Sequence, residues 1–375
     1  MRLRPLASDT DKAQRSKEEN IMAGWDDAKW IAFEKRMAPI REIFGEEKRK
    51  AVPIFENAQY YEQKKVAELI CLQREIENAT PLEEVAGKTA GFAALRDSLE
   101  PSVPEEQFEK IYLWNGPVPT ITDYPEDGEY RHNHGPEFIP YMYAFTVAED
   151  VTPKGAIIVC AGGDHGDAAV LEGLQICWDL REMGYQTFHL LNRPNHSPWS
   201  QKEAGGDMAR AVRMVRANAA KYRISPDHIA AAGFSNGGVT CEGCIQYFSG
   251  DKTVKEHFPD YVPDALDEIS ADLNAFLCVY GPRFAGEVFN YDGVVYPPVF
   301  YAVGREDNAM DNLNATWPDL LAHGVTVEVH TFAGVPHGQA GVKYLGQGIP
   351  YPNFETWEFL ADAFLLDTFD KAQKQ

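Results

Sequence analysis

From about residue 111 onward, short runs of wholly apolar residues alternate with longer stretches of helical periodicity. Ala156-Ile157-Ile158-Val159-Cys160 is one such run and leads into Gly162-Gly163. Similar runs stand at 229–232, 275–280 and 299–303, and further strands are expected at 141–147, 187–191 and 325–332. A strand that is apolar on both faces has to be covered on both. Helical spacing marks 168–183, 207–222, 237–248, 312–323 and 354–369. The alternation predicts an α/β fold, with a mainly parallel central sheet and helices on both faces.

The first hundred residues read differently. Residues 1–20 are polar. Trp30, Phe33, Met37, Ile40 and Phe44 then recur at helical spacing, and further helices are expected at 58–77 and 81–99, before Pro101 and Pro104. The expected organisation is therefore a helical extension over 1–107 and a main domain over 108–375. The apolar stripe of the extension needs a partner, either the main domain or another subunit. This gives the expectation of a homo-oligomer formed through these helices.

The chain has 375 residues, enough to bury a core without metal or disulfide staples. Its net charge of -22 argues against phosphate neutralisation, so nucleic acid and anionic membranes are not expected partners. No apolar run approaches the roughly 20 residues that span a bilayer, and residues 1–20 lack the apolar core of a secretory signal. A cytoplasmic location is the expectation. The six cysteines, Cys71, Cys160, Cys177, Cys241, Cys244 and Cys278, are sparse, and several stand in apolar runs, as buried free thiols do. Cys241 and Cys244 lie within an expected helix and have no second ligand pair, so they read as core rather than as a redox or metal motif.

One segment carries chemistry. Gly233-Phe234-Ser235-Asn236-Gly237 follows the apolar run at 229–232 and precedes a helix. A sharp strand-to-helix turn holds a serine in strained geometry above the sheet, and side chains beside it would clash; hence the glycines. The pentapeptide alone would fit any glycine-rich turn. The strand before it and the helix after it are what a nucleophile elbow requires.

A serine nucleophile needs a base, an orienting acid and an oxyanion hole. In chain order the acid and then the histidine follow the serine. Only His257, His323, His330 and His337 lie beyond Ser235. His330 falls inside a strand and His323 ends a helix, whereas His337 sits in a loop directly after a strand. For the acid, the run at 299–303 ends in Gly304-Arg305-Glu306-Asp307, and either Glu306 or Asp307 could reach His337, with Asp307 preferred. The oxyanion donors expected are the amide of Asn236 and, from the loop after 156–160, those of Gly163 and Asp164. Loops beyond the strand ends should line the substrate pocket: His165 in the first, Asn195, His196 and Trp199 in the second, Tyr344 and Tyr351 after His337. Residues 250–272, rich in Asp, Glu and Pro, read as a solvated acidic insertion, with a lid as the alternative.

With these residues in order, the chain resembles the α/β-hydrolase superfamily, and within it the bacterial esterase/lipase group that includes acetylxylan-esterase-like enzymes. The likeness covers roughly residues 108–370. It rests on Ile111-Tyr-Leu-Trp-Asn-Gly116, on residues 155–163, on 207–218 with 224–229, on 297–307 and on 324–338. Where the group usually has three consecutive glycines, this chain has Gly162-Gly163 followed by Asp164 and His165, and a carboxylate beside a developing oxyanion is unfavourable unless it points away or serves another role. The resemblance implies a serine hydrolase of carboxylic esters, with acylated carbohydrates or aryl esters as substrate classes and no metal or organic cofactor. A serine peptidase or amidase of the same superfamily would share the motifs. So would a catalytically silent binding protein.

Overall fold

The computed structural model describes residues 72, 82–97, 109–123, 135–163, 171–195, 200–340 and 351–372. The helical stripe from Trp30 to Phe44 and the helix expected at 58–77 lie outside the described residues, apart from the helical Leu72. So do Cys71, Asp164, His165, His196, Trp199 and Tyr344.

The chain divides into two units. In the first, a 3₁₀ turn, Leu82–Glu84, leads into helix α1, Val85–Asp97, close to the expected 81–99. The second is built on eight strands: β1 (Glu109–Tyr112), β2 (Tyr141–Phe145), β3 (Ala156–Cys160), β4 (Gln186–Leu191), β5 (Ile229–Phe234), β6 (Ala275–Val279), β7 (Val299–Gly304) and β8 (Val327–Phe332). Their order is β1-β2-β4-β3-β5-β6-β7-β8. β1 and β2 pair antiparallel, as do β2 and β4; every other pair is parallel. Every residue of β2 through β7 is buried, which is why β3, β5, β6 and β7 are apolar without alternation, while β4 buries the polar Gln186, Thr187 and His189. The edge strand β1 mixes half-buried and exposed positions, and β8 does so up to its last residue, the buried Phe332.

The helices of this unit are α2 (Ile176–Glu182, entered through a π-helical turn, Leu171–Gln175), α3 (Gln201–Ala217), α4 (Asn236–Phe248), α5 (Val254–His257), α6 (Ala309–Ala322) and α7 (Trp357–Ala372). Successive residues of β5 show that the sheet is covered on both sides. Phe234 meets Trp357 of α7, ring centroids 5.7 Å apart. A Cβ on the preceding Gly233 would point the other way, 2.7 Å from the Gly237 carbonyl of α4.

One expectation changes and another is refined. Helix α3 starts six residues before the expected 207, at Gln201, with Ser200 and Glu203 forming a capping box. Gly205 and Gly206 look like helix breakers in the sequence, but a Cβ on Gly205 would lie 2.5 Å from the Gly243 backbone of α4. The missing side chain lets two helices touch. The segment 250–272 is largely exposed, as a solvated acidic insertion is, but it is also anchored. Asp264 pairs with Arg210 of α3, and Arg213 and Arg216 donate to the carbonyls of Ile269, Ser270 and Asp272. Three arginines at spacings of three residues bind this acidic stretch to α3.

Candidate active site

The turn from β5 to α4 has the geometry that its glycines suggest. Ser235 has φ 48° and ψ -123°, a strained region for a residue with a side chain. Its amide donates to the Val279 carbonyl at 3.0 Å, and its carbonyl accepts the Gly238 amide at 2.9 Å. The chain has no room for side chains around it. A Cβ on Gly237 would lie 2.1 Å from the Cys160 carbonyl, and one on Gly162 would lie 2.6 Å from the Ser235 Cβ.

The structure brings Ser235, His337 and Asp307 into contact. Ser235 Oγ and His337 Nε2 are 2.8 Å apart. His337 Nδ1 stands 2.9 Å from each oxygen of Asp307. Asp307 has no exposed side-chain surface, and its Oδ1 also accepts the Ala309 amide at 2.7 Å. With Nδ1–H donating to the carboxylate, Nε2 is left to accept the serine proton.

The meeting of acid and imidazole follows from strand pairing. β7 and β8 are adjacent, and the loops that leave them are joined by backbone bonds, Arg305 to the Phe332 carbonyl and Glu306 to the Val335 carbonyl. They run so close that a Cβ on Gly304 would lie 2.0 Å from the Val335 oxygen. Glu306, the other acid considered, is exposed. The remaining histidines beyond Ser235 bond elsewhere: His257 to the Tyr247 carbonyl, His323 to its own helix at Asp319, and His330 to Glu328.

Two of the expected oxyanion residues are described. Asn236 is the first residue of α4, where an amide has no intrahelical acceptor. Its carbonyl accepts from Asn195 Nδ2 at 3.0 Å, which ties the loop after β4 to the elbow. Gly163 is exposed beyond β3, with φ 122°. Of the residues expected in the pocket, Asn195 and Tyr351 are described.

Two residues that the sequence does not point out also stand here. Glu172, from the π-helical turn before α2, is buried, and its Oε2 accepts the Gly162 amide at 2.9 Å. Tyr280, just past β6, has φ 40° and donates its hydroxyl to Glu172 Oε1 at 2.9 Å. Its ring lies edge-on to His337, centroids 4.9 Å apart. No local pattern marks either residue, because their partners are distant in the chain.

No protein-family profile matches the chain. Over 189 residues it is 28% identical to endo-1,4-beta-xylanase B of Butyrivibrio fibrisolvens, a match that spans 46% of this chain and 28% of the xylanase. Among solved structures, it is similar to an acetyl ester-xyloside bifunctional hydrolase from Caldicellulosiruptor lactoaceticus, with TM-score 0.52 and 22% identity over 68% of this chain and 94% of that one. It is also similar to Thermogutta terrifontis esterase 2 phosphorylated by paraoxon, with TM-score 0.51 and 17% identity over 71% and 95%. The strand order, the sharp turn after β5 and these likenesses together establish that the chain has the α/β-hydrolase fold.

Proposed function

We propose that the protein is a serine hydrolase of carboxylic esters that works through an acyl-enzyme, with Ser235 as nucleophile, His337 as general acid and base, and Asp307 as the orienting acid. The observation that carries this reading is the continuous chain of contacts from Ser235 Oγ to His337 Nε2 at 2.8 Å and from His337 Nδ1 to both Asp307 oxygens at 2.9 Å.

In the first step, Ser235 Oγ attacks the ester carbonyl while its proton passes to His337 Nε2. The buried Asp307 carboxylate stabilises the imidazolium and holds its tautomer. The oxyanion is held by the amides of Asn236 and of the loop after β3, with Gly163 and Asp164 as donors. His337 then protonates the departing alkoxide, and water repeats the cycle on the acyl-enzyme. None of these steps calls on a metal or organic cofactor.

The substrate class proposed is a small acyl ester of a carbohydrate, acetyl above all. The names of two similar proteins support it, one an acetyl ester-xyloside hydrolase and the other a xylanase. A third, the Thermogutta esterase, is described as phosphorylated by paraoxon, as an enzyme with a reactive nucleophile would be. In this reading residues 108–375 are the catalytic domain, and 1–107 an extension that makes an oligomer contact. His165, His196 and Trp199 contribute to the pocket.

The test is Ser235→Ala, assayed on 4-nitrophenyl acetate and on an acetylated xyloside. It is expected to fold normally and to lose about a millionfold in kcat. Wild-type turnover by that variant would falsify the assignment.

A further inference from the structure

A buried carboxylate lies beneath the reacting groups, and none of the steps above uses it. Glu172 is 4% exposed and comes from a π-helical turn, a geometry that is rare in proteins and recurs at functional sites. Both of its oxygens are engaged. Oε2 accepts the Gly162 amide at 2.9 Å, and Oε1 accepts the Tyr280 hydroxyl at 2.9 Å. The Tyr280 oxygen in turn accepts the Ala340 amide at 3.2 Å, three residues beyond His337. All the donors run one way: Ala340 N–H to Tyr280 O–H to Glu172, and Gly162 N–H to Glu172. One carboxylate thus joins the loop after β3, the end of β6 and the histidine loop.

The pattern suits a side chain that accepts at both of its oxygens. Both partners present a donor, so a glutamine would turn its own N–H₂ toward one of them. The surroundings are also under constraint. Tyr280 keeps a φ of 40°, which side chains disfavour, while its ring lies against His337. A Cβ on Gly162 would lie 2.6 Å from the Ser235 Cβ and 2.7 Å from Glu172 Oε2, so the loop after β3 is pressed between nucleophile and carboxylate. With the Gly162 amide engaged by Glu172, the next donor along that loop is Gly163.

We propose that Glu172 is a positioning residue for ester hydrolysis: by holding the Gly162 amide and the Tyr280 hydroxyl together, it sets the Gly163 amide for the oxyanion and the His337 imidazole for the proton. This rests on the hydrolase reading above and adds to it the group that aligns its two loops. Donors to an oxyanion act only within about 2.7–3.1 Å of the charge they meet, so freeing the loop weakens transition-state binding more than substrate binding.

The experiment compares wild type, Glu172→Gln and Tyr280→Phe on 4-nitrophenyl acetate, together with inhibition by an aryl trifluoromethyl ketone, which mimics the tetrahedral intermediate. Glu172→Gln is expected to lower kcat about 10- to 100-fold, with KM within about twofold, and to weaken the ketone by a similar factor. Tyr280→Phe keeps the ring against His337 and loses only the hydroxyl; it is expected to lower kcat about 5- to 20-fold, again without a change in KM. A purely structural Glu172 would change the melting temperature and leave kcat and ketone affinity of the folded variant at wild-type values, and that result overturns the proposal. If Glu172→Gln does not fold, Tyr280→Phe decides alone: wild-type kcat in it overturns the proposal. Reaction with a fluorophosphonate separates the two failures. Wild type that does not react at Ser235 sinks the hydrolase reading and the positioning role with it. Wild type and both variants reacting at one rate sinks the positioning role only.

Discussion

Two histidines of this chain sit in opposite surroundings. His337 stands at the rim of the sheet with 42% of its side chain exposed, and both ring nitrogens are engaged, one by Ser235 and the other by Asp307. His189 lies within β4, fully buried, and neither ring nitrogen meets a hydrogen-bond partner among the described residues. Burial lowers its pKa to about 4. An imidazole that takes up and returns a proton in each turnover needs an anion to hold its charged form and a path to the substrate. His337 has both. His189 has neither, and it packs over Gly173, where a Cβ would lie 2.2 Å from its Nε2. In the proposed reaction, partnership at an accessible rim, rather than burial, separates the proton carrier from a packing group.

Breaking the partnership at the rim should have the largest effect. His337→Ala is expected to lower kcat/KM for 4-nitrophenyl acetate at least about ten-thousand-fold, as measured by steady-state kinetics. Asp307→Asn keeps the shape but replaces an acceptor with a donor. It is expected to lower kcat by about a thousandfold or more, through the wrong imidazole tautomer. His189→Leu sharpens the contrast from the other side, with activity expected within about twofold of wild type.

Its effect should be on stability instead. Between pH 6.5 and about 4, the unfolded chain binds a proton that the folded His189 refuses, so wild-type stability falls as the pH falls through this window. His189→Leu should remove up to about 3 kcal/mol of that dependence, read from urea unfolding at a series of pH values. Glu242 of α4 is the acidic counterpart. Burial raises its pKa from 4.5 to about 7, against the lowering effect of Arg283 and the Tyr296 hydroxyl. Across that window the folded chain keeps a proton that the unfolded chain has given up, so stability falls as the pH rises. Glu242→Gln should flatten this slope by a similar or smaller amount. In wild type the two slopes oppose each other between pH 4.5 and 6.5, so each single variant exposes the slope of the other group.

Much of this contrast was legible in the sequence, for physical reasons. Strands β3, β5, β6 and β7 are buried on both faces, so their apolar runs were continuous and their boundaries agree with the structure to within a few residues. The elbow could be read because a strained serine between two crossing backbones excludes side chains on either side. His337 stood out by its place after a strand, but Glu306 and Asp307 were both able to reach it by sequence; burial of Asp307 and exposure of Glu306 come from the turn between β7 and α6. The first turns of α3 were not legible, since Gly205 and Gly206 signal a break locally and serve a helix contact in the fold. Glu172 and Tyr280 carried no signal at all. Their bonds to Gly162 and Ala340 join segments that only the folded sheet brings together.

The central claim is that Ser235 is a nucleophile activated by His337 and Asp307. Incubating the folded protein with a fluorophosphonate, followed by peptide mass mapping, tests it most directly. One adduct, on Ser235, is expected to form rapidly in wild type and at least about a hundredfold more slowly in His337→Ala. An unmodified Ser235, or an adduct that forms equally fast without the imidazole, would contradict it.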